Sequence, residues 1–251
     1  MRAEIHRTLG ALARLYEAGC RRIAIAVDAA DADLSTARAA RSLGFELHVD
    51  TVVPRRNAGR LREIAALIAT LGATLWNLHF LIPGPGVAAQ DCLDAAETEQ
   101  AFATLFDLWL TAPFDLKAWE APHYHRYVAE RLAAMAPGER PAKAASALLG
   151  IPSVGEGKGF AFVSYCGEIM PSGLLPLVMG NVRTHRLLDV YRNHPTMQRL
   201  RDPSSYSGAC GRCEDRDLCG GSRARAYALT GDPFAQDPFC CRLAAAADAR
   251  T

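Results

Sequence analysis

The 251 residues lack a long apolar run, an excess of one charge and a leader-like start. No segment reaches the roughly 18 uninterrupted apolar residues that a membrane span needs, so no membrane partner is expected. The formal net charge is +1, and basic residues occur only in short pairs such as Arg21-Arg22 and Arg55-Arg56. A nucleic-acid partner would call for a basic stripe or patch, and none is visible. The opening MRAEIHRTLGALARLYEAGC is interrupted by Arg7, Arg14 and Glu17, with no small-residue cleavage site after it. That is no signal peptide, so a cytoplasmic location is expected. Thiols stay reduced there, and clustered cysteines then mean metal or redox chemistry more often than disulfides.

What is present is an α/β pattern. At 251 residues the chain is long enough for one large domain or a medium domain with a small appendage, and half the residues are hydrophobic. Residues 4–18 place Ile5, Leu9, Leu12, Leu15 and Tyr16 at helical spacing, with Gly19 stopping the turn. The run 22–28 has strand length, and 34–43 reads as a helix closed by Gly44. A strand at 45–53, a helix at 61–71, a strand at 75–82, a helix at 94–111, a strand at 114–119 and a helix at 123–136 follow. Apolar strands alternating with helices predict a parallel sheet covered by helices.

Asp28, Asp50, Thr51, Asn77, His79, Lys117 and Glu120 interrupt these apolar strands or end them. The C-terminal edge of such a sheet is where α/β folds bind ligands, so these residues outline a candidate cleft. Ordinary strand-end capping accounts for any one of them equally well. His123-Tyr-His125 follows Glu120 closely, but residues two apart on a helix point in different directions, which disfavours a metal site there.

The stretch 135–159, rich in Pro, Gly and Ala, reads as a linker. Beyond it, FAFVSYCGEIMPSGLLPL alternates as two short strands around Gly167, consistent with a hairpin. Short helices are predicted near 186–193 and 195–201.

The sharpest signal lies near the C-terminus. Cys210 and Cys213 are two residues apart, Cys219 follows after five more, and Cys240 after about twenty. Four thiolates satisfy either a zinc ion or an iron–sulfur cluster, and spacing alone does not separate the two. Neighbouring glycines allow tight turns that aim both sulfurs of a close pair at one centre. Arg212, Arg216, Arg223 and Arg225 crowd the stretch, and cations of this kind depress thiol pKa values and offset a cluster's charge. Cys241 adjoins Cys240, and in an extended segment only one of the two reaches the site. Cys20, Cys92 and Cys166 stand alone and read as buried small hydrophobes.

The cysteine spacing, the preceding GEIMPSG and GNVR, and the tail ACGRCEDRDLCGGSRARAYALTGDPFAQDPFC resemble the SPASM/twitch domain of radical S-adenosylmethionine (SAM) enzymes, in their haem-biosynthesis-like branch. LHVDTVVPRRN, LGATLWNLHFLIP and PFDLKAWEAPHYHRYV resemble later strands and helices of that family's partial (β/α) barrel. The resemblance implies an incomplete barrel over 1–136, a linker over 137–159 and a cysteine-rich twitch-like domain over 160–251. It implies that Cys210, Cys213, Cys219 and Cys240 hold one auxiliary 4Fe–4S cluster. Arg223 stands where the fuller pattern has another cysteine, so a second auxiliary cluster is not implied. It further implies contacts from Thr51 and Asn77 to S-adenosylmethionine. The family's CxxxCxxC triad for the catalytic cluster is absent, and the first barrel strands with it. The resemblance therefore implies a truncated, split or degenerate product with a possible partner chain supplying the rest. The expected function is that of the C-terminal part of an enzyme doing radical chemistry on a peptide or tetrapyrrole-type substrate, and activity of the chain alone is not expected. The alternative is a non-catalytic iron–sulfur or zinc-binding partner protein.

Overall fold

Four parallel strands carry the first half of the chain in the order β1-β2-β3-β4: β1 (Arg22–Ala26), β2 (Glu46–Val53), β3 (Leu75–Phe80) and β4 (Asp115–Trp119). The computed structural model describes residues 2–141 and 155–242. Residues 142–154, inside the expected linker, and the tail 243–251 lie outside the described residues. The described chain divides into two compact units. The first takes residues up to Leu81, with Gln90–Leu93 and Gln100–Trp119. The second takes Ile82–Ala89, Asp94–Glu99 and the residues from Glu120 onward.

In the first unit the helices are α1 (Arg2–Glu17), α2 (Ser35–Ser42), α3 (Arg55–Ala58), α4 (Leu61–Ala69) and most of α5 (Ala95–Thr111). Each connects successive strands or precedes them, as the alternating pattern predicts. The helix α2 ends where Gly44 adopts φ +94°, a conformation costly for any residue with a Cβ. A Cβ there would also sit 3.0 Å from the Tyr16 hydroxyl, because Tyr16 packs edge-on against Phe45 with ring centres 5.1 Å apart.

Strand side chains alternate, and here the alternation sorts them by polarity. Leu47, Val49, Thr51, Val53, Trp76, Leu78 and Phe80 are buried on one face. Phe80 meets Phe102 of α5 edge-on, and Trp76 meets Phe114 at 90°. The other face carries His48, Asp50, Asn77, His79, Lys117 and Trp119, all half-buried. The register sets Asp50 beside Asn77, Asn77 beside Lys117, and His79 beside Trp119.

The second unit holds α6 (His123–Ala134) and a small antiparallel sheet, β5 (Phe162–Val163), β6 (Glu168–Met170) and β7 (Gly180–Asn181). The predicted hairpin turns at Gly167. The helices α7 (Leu187–Asn193), α8 (Pro195–Arg201), α9 (Gly208–Arg212) and α10 (Arg223–Thr230) follow. Ile169, Leu175, Met197, Leu200 and Ala224 form the apolar centre of this unit. Among the described residues, no helix is long and apolar enough to cross a membrane.

Candidate metal centre

The helix α9 is a single turn and carries Cys210; Cys213 is its C-cap residue, already extended. Gly211 between them is forced by packing. A Cβ at that position would lie 1.9 Å from the Tyr206 carbonyl oxygen, well inside contact distance. A reverse turn then brings Cys219 round, its N–H donating to the Asp215 carbonyl at 2.7 Å. Gly220 and Gly221, at φ +66° and +67°, lead the chain into α10. A Cβ on Gly221 would approach Cys210 Sγ at 3.1 Å and Asp237 Cβ at 2.8 Å, so only glycine lets the backbone pass this close to the sulfur.

Cys210, Cys213, Cys219 and Cys240 line one cavity of about 440 Å³, counted to its open mouth, together with His123, Arg126, Arg216 and Arg242. The thiols rim this space rather than converge on a point. Among the described residues, no three Cys, His, Asp or Glu side chains are close enough to hold a single metal ion. Backbone N–H groups aim at two of the sulfurs: Asp237 donates to Cys210 Sγ at 3.3 Å and Gly221 donates to Cys219 Sγ at 3.4 Å. Cations reach others, with Arg223 donating to Cys210 Sγ and Arg242 to Cys213 Sγ, each at 3.6 Å. Four soft cysteine ligands around one cavity and N–H donors to sulfur suit a cluster held by thiolates, whose charge and potential such donors tune.

The two adjacent cysteines part ways. Cys240 lines the cavity, whereas Cys241 Sγ accepts from Arg126 Nη2 at 3.5 Å and is absent from the lining. Arg126 is buried and also pairs with Glu99 and Glu130.

Under the cavity lies a buried anion that the sequence reading missed. Asp237 is fully buried, and its Oδ2 accepts from His123 Nε2 at 2.9 Å, Arg225 Nη1 at 3.0 Å and the Ser222 N–H at 2.8 Å. Its Oδ1 accepts from the Phe239 N–H at 3.1 Å. Burial alone would push this carboxyl up, but Arg225 and His123 beside it, with those hydrogen bonds, hold it well below the usual carboxylate range. Arg225 also donates to the Glu120 carbonyl at 2.8 Å, and Glu120 is held at φ +59°. The signal was available only as a pairing of residues more than a hundred positions apart, which no spacing rule registers.

Two expectations about charge change accordingly. Of the four arginines, Arg223 contacts a thiol and Arg216 lines the cavity, Arg225 is spent on Asp237, and Arg212 is exposed. The thiols of Cys219 and Cys240 are raised rather than depressed. Burial pushes Cys219 up to about 12 against the help of the Gly221 N–H, and burial likewise raises Cys240. Desolvation of the buried thiolate outweighs the nearby cations. Cys92 is buried as expected, while Cys20 and Cys166 are exposed.

The sheet does not bring Thr51 and Asn77 together. Thr51 is fully buried on the apolar face, where its hydroxyl donates to the Val27 carbonyl at 2.6 Å and accepts from Trp76 Nε1 at 2.7 Å. Asn77 is on the polar face, where its Nδ2 donates to Asp50 at 2.7 Å and its Oδ1 accepts from Trp119 Nε1 at 3.2 Å. Asp28, at the end of β1, accepts from the Val52 N–H at 2.7 Å and so serves as a strand-end cap.

No family model matches the chain. An AdoMet-dependent heme synthase of Methanosarcina barkeri is 30% identical over 251 residues, covering 90% of this chain and 69% of that protein. Its counterpart from Nitratidesulfovibrio vulgaris is 33% identical over 202 residues, covering 80% of this chain and 55% of that protein. A mycofactocin maturase of Mycobacterium ulcerans is 30% identical over 248 residues, covering 91% and 63%. The chain thus spans between about half and two thirds of the length of these relatives. Among solved structures, anSMEcpe with bound AdoMet and a peptide gives a TM-score of 0.60 at 15% identity, covering 92% of this chain and 68% of that one. Streptococcus suis SuiB bound to S-adenosylmethionine gives 0.59 at 13%, covering 88% and 54%. These likenesses show a shared mixed α/β fold with a parallel sheet.

Proposed function

The chain belongs to the radical SAM/SPASM-like proteins of the haem-synthase branch, and on that premise we propose that its four-cysteine cavity holds one auxiliary 4Fe–4S cluster. The observation that carries the reading is the ring of Cys210, Cys213, Cys219 and Cys240 around one cavity, with N–H donors aimed at the sulfurs. When bound, such a cluster supplies an electron-transfer site within the protein. The chain's own residues hold it: four thiolates ligate, and Arg223 and Arg242 offset their charge. Cys241 stays outside, bonded to Arg126.

The enzyme to which this sequence corresponds acts, in our reading, by S-adenosylmethionine-dependent radical chemistry on a peptide or a tetrapyrrole-type molecule. Relatives named heme synthase, mycofactocin maturase and PqqA peptide cyclase motivate those two classes. The polar face of the sheet, with Asn77 on it, is the surface we assign to cofactor and substrate, because ligands of α/β sheets bind at their strand ends. The 251 residues contain no CxxxCxxC triad, so this chain by itself is expected to bind iron without cleaving S-adenosylmethionine.

Anaerobic reconstitution tests the reading. Expected are about four irons and a broad band near roughly 400 nm per chain. Cys240→Ser is expected to abolish both, and Cys241→Ser to leave both unchanged. Stoichiometric zinc without the band would establish the four-cysteine site as a zinc site instead. Formation of 5′-deoxyadenosine by the reduced, reconstituted chain would overturn its predicted inability to cleave the cofactor.

A further inference from the structure

The polar face of the first unit carries a cation that is held in place without being neutralised. Lys117 Nζ lies 3.7 Å from the centre of the Trp119 ring. The Trp119 ring is itself fixed twice: His79 stacks parallel to it, with ring centres 6.0 Å apart and planes at 3°, and its Nε1 donates to Asn77 Oδ1. Asn77 is oriented in turn by Asp50. Four side chains on three neighbouring strands are therefore spent on placing one ammonium group. Among the described residues, no carboxylate lies within ion-pair distance of it.

An aromatic ring holds a cation through its quadrupole and leaves the full charge available to an anion, as an ion pair would not. We propose that Lys117, on the platform of Trp119 and His79, anchors a carboxylate of a ligand lying on this polar face. A carboxylate fits better than a phosphate. A phosphate is recognised by several converging donors or an arginine fork, and here one point charge is offered. Asp115 on the same strand, and Glu46 and Asp50 two strands away, lie on the same face, and they disfavour a dianion more than a monoanion. Partial burial lowers the lysine's pKa, a cost that an incoming anion would reverse. This inference deepens the substrate assignment above and uses nothing of the cysteine cavity.

The chain has only three lysines, Lys117, Lys143 and Lys158, so competitive acetylation resolves each of them. The full chain is treated with acetic anhydride, a neutral reagent, and the labelling rates are read by peptide mass spectrometry. Four probes are added in turn: a porphyrin tetracarboxylate, its methyl ester, a peptide with a free C-terminal carboxylate, and the same peptide as an amide. At about ten times its Kd, an acid probe is expected to slow acetylation of Lys117 roughly tenfold. Lys158 should not respond, and the ester or amide should give no protection. Protection by the porphyrin acid alone points to a tetrapyrrole, and by the peptide acid alone to a peptide. Absence of protection by both acids, or equal protection by the neutral counterparts, overturns the proposal. Lys117→Gln gives a second reading, since it should reduce binding of the porphyrin acid, followed by tryptophan fluorescence, to that of its ester. Equal binding by this variant and the unchanged chain would likewise refute the proposal. No iron is needed at any step, so failure here leaves the cluster reading untouched.

Discussion

Replacing Asp237 by alanine removes the one anion on which His123, Arg225 and the Ser222 N–H converge. The side chain of Arg225 is 4% exposed and that of His123 2%. Breaking a buried pair from one side leaves an uncompensated charge, which costs about 3–5 kcal/mol. The hydrogen bonds lost at Ser222 and Phe239 are part of that figure rather than an addition to it, because the same carboxylate receives them. A change of this size in a chain this long lowers Tm by about 2–4 °C per kcal/mol, or about 6–20 °C in all. Thermal unfolding followed by circular dichroism measures it. The decisive comparison is the double variant Asp237→Ala with Arg225→Met, which removes both charges. If the stranded guanidinium is the cause, the double variant recovers at least about 1.5 kcal/mol relative to Asp237→Ala, since removing both partners is milder than orphaning one. A loss below about 1 kcal/mol for Asp237→Ala, or a double variant no better than the single, would refute the argument that this anion organises the floor of the cavity.

Gly211→Ala places a methyl 1.9 Å from the Tyr206 carbonyl, so α9 must shift and carry Cys210 with it. Iron uptake on reconstitution is expected to fall to a minor fraction, measured against Gly59→Ala, where nothing lies within 4 Å of the added carbon. Thr51→Val keeps the shape of the buried side chain but leaves Trp76 Nε1 without its acceptor. A loss of about 1–3 kcal/mol in denaturant unfolding is expected, with no change in cluster loading, and a neutral result would show that Trp76 finds another partner.

The strands, helices and cysteine motif were legible because each is written in local spacing. Leu9 to Tyr16 repeat with helical period, the strands are short apolar runs, three of them following a helix-closing glycine, and Cys210 to Cys219 sit within one turn-rich segment. Thr51 and Asn77 show the limit of that reading. Both are polar residues in apolar strands, yet one is buried and satisfied while the other lies on the polar face. The period of two makes neighbouring residues of a strand face opposite ways, but which face is covered depends on where the helices pack. Cys240 and Cys241 pose the same problem: Cys240 lines the cavity, while Arg126 takes Cys241 as an acceptor.

By itself the sequence determined the α/β alternation, the four candidate ligands and the family, because periodicity, residue type and short spacing are properties of neighbours along the chain. Only the tertiary structure decided that the thiols of Cys219 and Cys240 are raised rather than depressed, since burial is set by everything folded around them. It alone brought His123 and Arg225 onto Asp237, and Asn77, His79 and Trp119 around Lys117. A buried charge takes its partners from wherever the chain returns, and nothing in local spacing records that distance.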